Sequence, residues 1–256
     1  MPDERSSAGD PSRTLELLWR EPGYGASVRG PKQGRTIDEV VVAAIKLADT
    51  VGLEAVTMRR VASALDVAPM SLYTYVPGKA ELLDLMLDTV YRQMPRVDRS
   101  SDPWRVRVEA VARENRALFD RHPWVAAVST VRPPLGPGLM AKYEHELRAF
   151  EGLGLDDVEM DAALTYLLSF VQAAARAAVD VRTAQRDSTM NDEQWWAANQ
   201  PLLARVFDEN SYPTAARVGA AAGAAHGAAY HPGHAYEFGL QRVLDGLGAL
   251  IETRTR

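Results

Sequence analysis

Between Thr57 and Lys79 the chain places two short apolar-periodic stretches on either side of an abrupt break, and few folds accept that pattern. Thr57 suits an N-cap, and Val61, Ala62 and Leu65 then fall on one face of the helix it starts. Asp66-Val67-Ala68 supplies the turn, and Pro69 suits the first position of the next helix, where a missing amide hydrogen costs nothing. On that second helix Leu72 and Val76 point inward, which sends Ser71, Thr74 and Tyr75 outward. Pro77-Gly78 ends it, because a residue before proline avoids helical angles. The result is a helix of about two turns that shows hydroxyls and rings instead of the usual charges. A short polar helix propped by its predecessor fits the DNA major groove, which admits one helix and displays hydrogen-bonding base edges.

A formal net charge of −5 does not favour a DNA partner for the chain as a whole, but the local balance decides. Within 57–79, Arg59, Arg60 and Lys79 stand against Asp66, a net +2. That modest charge predicts a small phosphate contribution per chain and a need for two copies. Hydrophobic content of 46% and charged content of 25% are those of a soluble globular protein. The absence of cysteine excludes disulfides, thiol nucleophiles and thiolate metal sites, and fits a reducing cytoplasm. Purely apolar runs are far short of a membrane span, and the N-terminus has no apolar signal core, so no membrane partner is expected.

The organisation that follows is all-α, with three regions. Residues 1–35 form a flexible extension rich in Ser, Gly, Pro and charge. Within it, Leu15-Glu-Leu-Leu-Trp19 is an apolar knot able to dock on the body, while Arg29, Lys32 and Arg35 make either a solvated linker or a basic arm reaching DNA. Residues 36–95 form a helix-turn-helix domain. Its first helix, 36–51, carries the stripe Ile37, Val41, Ala44, Ile45 and Ala48, a capping box at Thr36 and Glu39, and Gly52 as terminator. A further helix runs from Lys79 to Met94. Residues 96–256 form a larger helical body, with helices expected at 103–121, 123–130, 137–152, 156–184, 192–208 and 235–253. The Gly/Ala/His-rich stretch 219–234 is expected as a mobile loop.

Three segments carry a family resemblance: Thr57-Met-Arg-Arg-Val-Ala62, Met70-Ser-Leu-Tyr-Thr-Tyr-Val76 and Gly78-Lys-Ala-Glu-Leu-Leu83. Together they are similar to the DNA-binding domain of TetR-type transcriptional regulators, a likeness strong over 36–90. A weaker likeness to the tetracycline-repressor subgroup's ligand-binding, dimerising domain continues through Trp104, Thr130-Val-Arg-Pro133, Tyr143 and the helix from 156. The resemblance implies that Arg59 reads a guanine edge, which an arginine does with a bidentate bond to O6 and N7. It implies that Ser71, Thr74 and Tyr75 lie at the DNA face, and that Tyr73 and Lys79 contact phosphate. Lys79 also begins a helix, where free amides favour an anion. Thr57 and Arg60 complete the expected DNA-binding set.

The tetracycline repressor holds a magnesium–drug complex partly through histidines, and this chain departs from it there. Met94 or Pro95, and Val128 or Ser129, occupy the corresponding positions, so a ligand without a metal, and no cofactor, is expected. Asn115, Phe119, Trp124, Arg132, Tyr143, Tyr166, Phe170 and Gln172 combine aromatic walls with polar hooks and form the candidate ligand-binding set. The resemblance singles out Arg132 as pocket-lining. Trp195-Trp196 serves as a pocket roof or a dimer seam. His226, His231 and His234 lack an orienting carboxylate, and Gly25–Lys32 lacks the hydroxyl and preceding strand of a phosphate loop; neither is assigned a site.

No nucleophile elbow or His-Glu-x-x-His pair occurs, so catalysis is not expected. The expectation is a homodimer paired through 156–184 and 235–253, where Ala173, Ala174, Ala175, Ala177 and Ala178 permit close approach. It binds a palindromic double-stranded DNA operator as a repressor and is released by a small-molecule inducer, an antibiotic or another apolar metabolite. A ligand-dependent activator or co-repressed regulator is the alternative within that class. A ligand-sequestering protein or enzyme on the same scaffold is the alternative outside it.

Overall fold

The computed structural model describes residues 5–20, 35–227 and 230–254. Within them the chain forms α1 (Pro11–Leu18), α2 (Ile37–Val51), α3 (Met58–Ala64), α4 (Pro69–Leu72), α5 (Lys79–Arg92), α6 (Trp104–Arg121), α7 (Pro123–Ala127), α8 (Pro137–Leu147), α9 (Asp157–Asp187), α10 (Asp192–Leu203), α11 (Pro213–His226) and α12 (Pro232–Arg254). No strand forms among these residues; Arg5 and Ser129 make an isolated parallel bridge.

The head consists of α2 to α5. Thr36 and Glu39 close the capping box that starts α2, and Gly52 follows it at φ +103°, an angle that a side chain would resist. Thr57 accepts the Arg60 amide to start α3. Asp66 takes φ +56° in the break, where a short polar side chain tolerates left-handed geometry. The recognition segment is shorter than expected. A single α-turn runs from Pro69 to Leu72 and is followed by turns, with Thr74 N–H donating to Ser71 O, and Tyr75 N–H and Val76 N–H both donating to Leu72 O. Buried Leu72 and Val76 hold it against α2 and α3.

Helix α5 is the spine between head and body, and packs on α1, α2 and α8. Its contact with α8 is close. A Cβ on Gly138 would lie 2.0 Å from the Asp88 carbonyl oxygen, so only glycine fits there. The Asp88 carboxylate accepts the Leu139 amide at 2.9 Å, placing negative charge at the start of α8. In the body α9 packs along α6 and α12. By length and composition alone α9 is apolar enough to cross a membrane, with a mean hydropathy of 1.4. Here Leu164, Leu167, Val171 and Ala175 are instead buried in the shared core.

The apolar knot in the N-terminal extension docks as α1, with Leu17 and Leu18 buried. Ser6 Oγ donates to the carbonyls of Ser129 and Arg132, Ser7 N–H donates to Asp84 on α5, and Trp19 Nε1–H donates to the Leu135 carbonyl. This segment therefore ties α5 to the loop before α8. Arg29 and Lys32 lie outside the described residues.

Two expectations about local structure are corrected. Residues 219–226 belong to helix α11 rather than to a loop, because the alanines outweigh Gly219 and Gly223 and Gly227 caps the end in left-handed geometry. The helix expected at 123–130 stops at Ala127.

Candidate DNA-reading face and ligand chamber

Thr57, Arg59 and Arg60 at the start of α3 are exposed, as are Ser71, Tyr73 and Thr74 on the recognition segment. Lys79 is half-buried at the first position of α5. These residues bring cationic, hydroxyl and aromatic groups to one end of the head. Tyr75 is less exposed than the hydroxyl residues beside it: it is half-buried and packs against the core. Sequence reasoning passed over Met70, which is 75% exposed in the first turn of α4 and offers a flexible apolar tip of the kind that meets a thymine methyl.

In the body, three of the eight expected ligand residues converge. Asn115, Phe119 and Gln172 line a cavity of about 80 Å³ together with Tyr91, Thr130 and Lys142. Its polar wall is a buried network. Lys142 Nζ donates to Glu146 at 2.7 Å, and Asn115 Nδ2 donates to the other oxygen of Glu146 at 2.5 Å. Gln172 Nε2 donates to the Ala126 carbonyl at 3.1 Å. Burial, with the Glu146 and Asp88 carboxylates nearby, pushes the pKa of Tyr91 well up, so its hydroxyl stays protonated. The Lys142 ammonium lies 5.6 Å from the centre of that ring. The i,i+4 pair Lys142–Glu146 was visible in the sequence as a salt-bridge spacing; only the packing shows that it is buried.

The other five expected ligand residues lie elsewhere. Trp124 Nε1–H donates at 2.8 Å to Asp49 on α2, and His122 Nδ1 meets the same carboxylate at 2.8 Å. Trp124 therefore joins body to head. Phe170 stacks on Tyr236 of α12, with centroids 5.8 Å apart. Tyr143 is exposed and donates to Asp161 at 2.8 Å. Tyr166 is 57% exposed on α9, and the Arg132 side chain is exposed. None of these five lines the cavity. Trp195 and Trp196 are both exposed on α10, their rings 6.3 Å apart.

Comparison with known proteins follows this division. The family described as bacterial regulatory proteins, tetR family, matches residues 40–86, and the tetracyclin repressor-like C-terminal domain matches 95–251. A curated relative, HTH-type transcriptional repressor DrrR1 of Streptomyces coeruleorubidus, is 43% identical over 253 residues, covering 98% of this chain and 90% of its own. Among solved structures, apo ActR from Streptomyces coelicolor is 26% identical with a TM-score of 0.67, covering 86% of this chain and 98% of that one. ActR in complex with actinorhodin is likewise 26% identical with a TM-score of 0.68, covering 86% of this chain and 99% of that one. The chain belongs to the TetR family of bacterial transcriptional regulators, as a DNA-binding regulator with a tetracyclin repressor-like C-terminal domain rather than an enzyme.

Proposed function

We propose that the chain is a cytoplasmic, homodimeric repressor that holds an inverted-repeat operator and lets it go when a small-molecule inducer, an antibiotic or another apolar metabolite, enters the Asn115 cavity. One observation carries this reading: α5 begins with Lys79 at the head's exposed end and finishes with Tyr91 in the cavity wall. The connection is mechanical. A cavity of 80 Å³ is below the few hundred cubic ångströms that a drug-sized ligand occupies, so entry must part α5, α6 and α8. Gly138 and Asp88 mesh α5 with α8, and the movement therefore reaches the head. The named relatives support the same direction: DrrR1 is a transcriptional repressor, and ActR is crystallised in complex with actinorhodin. A tenfold loss of operator affinity needs only about 1.4 kcal/mol of differential ligand binding between the two arrangements.

Thr57, Arg59, Arg60, Ser71, Tyr73, Thr74 and Lys79 form the docking face in this reading, with Asn115, Phe119, Gln172, Tyr91 and Lys142 as ligand contacts. The test is fluorescence anisotropy of the full-length protein on a duplex from the flank of its own gene, with and without saturating apolar metabolites, actinorhodin among them. Operator affinity is expected to fall at least about tenfold with a cognate ligand. A ligand that binds the cavity and leaves operator affinity unchanged removes the induction mechanism while leaving DNA binding intact.

A further inference from the structure

A second hollow, with no lining residue in common with the Asn115 cavity, lies between α6, α8 and the 96–100 segment that follows α5. It encloses about 540 Å³, within the range of drug-sized ligands. It is hollow because the helix faces that meet there carry small side chains: Ala110 and Val111 on α6, Ala141 on α8, and Ala149 just beyond it. Around this apolar floor stand Arg96, Arg99, Arg107 and Arg148.

The charges of the hollow are unevenly matched. Each of its three carboxylates is engaged locally: Glu114 with His145 at 2.9 Å, Glu144 with Arg148 at 2.9 Å, and Asp98 with the Ser100 amide at 2.9 Å. Arg99 meets Asp102 at 3.4 Å. Arg96 and Arg107 instead donate to neutral carbonyl oxygens. Arg96 serves those of Tyr91, Arg92, Met94 and Ala141, and Arg107 serves that of Glu151 at 3.0 Å. A carbonyl satisfies a hydrogen but does not neutralise a guanidinium. The Arg107 Nε–H is also buried with no hydrogen-bond partner among the described residues, a cost that native structures rarely leave in place.

We propose that this hollow is a binding site for an aromatic carboxylate, distinct from the Asn115 cavity. The ring lies on the alanine and valine floor, and the carboxylate is held by Arg107, with Arg96 adding field from the side. Arginine supplies the planar fork that a carboxylate matches, whereas the same ring without a charge leaves both cations unanswered. The inference does not depend on how the protein acts on DNA, since binding is read directly.

The test is calorimetric titration of the full-length protein with 1-naphthoate and with its uncharged analogue 1-naphthalenemethanol. Naphthoate is expected to bind about tenfold more tightly than the alcohol or better. Arg107→Gln is expected to remove most of that preference. Ala141→Trp, at an exposed position that lines the hollow, is expected to block both ligands while leaving the thermal unfolding curve unchanged, so the site is tested even where Arg107→Gln folds poorly. Three results overturn the proposal: no naphthoate binding, equal affinity for the alcohol, or unchanged naphthoate affinity in Ala141→Trp. If naphthoate affinity is instead lost in Phe119→Ala, the carboxylate belongs to the Asn115 cavity.

Discussion

In the proposed docking, Arg59 and Lys79 would do different work from one face. Arg59 is exposed beside the recognition segment, with a guanidinium able to address a base edge, and Lys79 sits where a helix start favours phosphate. Arg59→Ala should cost about 1–3 kcal/mol on the cognate operator and relax base choice at one position. Lys79→Ala should weaken all duplexes alike and flatten the salt dependence by about one phosphate contact. Anisotropy titrations against cognate and scrambled duplexes over a salt series separate the two, and identical behaviour of the variants contradicts the assignment. Asp84 makes a prediction of another kind. Burial lifts its pKa from 3.8 to about 6, against a lowering by the Ser7 amide and a further rise from Glu81. Because the folded value lies above the unfolded one, the stability linked to its proton is full below about pH 4 and is lost as pH rises through 6. Asp84→Asn, which cannot ionise, should therefore gain on the wild type between pH 4 and 7, on the order of 2 kcal/mol. Urea unfolding at several pH values measures the difference, and a difference that does not change with pH rules the mechanism out.

At the level of single elements, the strap formed by residues 5–20 extends the core beyond the head and body. It buries Leu17 and Leu18 against α5 and hydrogen-bonds the 129–135 loop through Ser6, Ser7 and Trp19. Removing residues 1–20 should lower the unfolding free energy by about 3–6 kcal/mol, from two buried leucines at roughly 1.5–3 kcal/mol each. Denaturant melts of the truncated and intact chains check this, and equal midpoints would show that the strap adds nothing. The elements also show what a sequence can reveal. The capping box at Thr36, the N-cap at Thr57 and Pro69 at its helix start are short-range signals, and each appears where the local chemistry requires it. The spacing of Leu72 and Val76 sends Tyr75 outward, whereas the structure leaves it half-buried against the core, a degree of burial that spacing does not encode. Helix α11 was taken for a loop because glycine was weighed above the alanines around it.

Over the whole molecule, the head was more legible than the chamber because its signals are consecutive in sequence. Cavity membership depends instead on which faces of α5, α6, α8 and α9 meet. Asn115 and Phe119 sit on the inner face of α6, whereas Trp124 lies three residues past that helix and reaches back to Asp49 in the head. An aromatic residue in a body helix carries no mark that distinguishes a chamber wall from a joint between domains. The Asp49–Trp124–His122 joint and the α5–α8 mesh both connect body to head, and under the proposed induction a ligand would act through them. In the proposed reading dimerisation would supply the remaining requirement, because a net +2 on one recognition unit makes the phosphate contribution of a single chain small. Two chains paired through α9 and α12 would set their heads on major grooves about 34–36 Å apart. The most direct measurement is sedimentation of the full-length protein with an inverted-repeat duplex from the flank of its own gene. Two chains should travel with each duplex, at an affinity that falls steeply with salt; a chain that stays monomeric and leaves every duplex unbound contradicts the reading at its root.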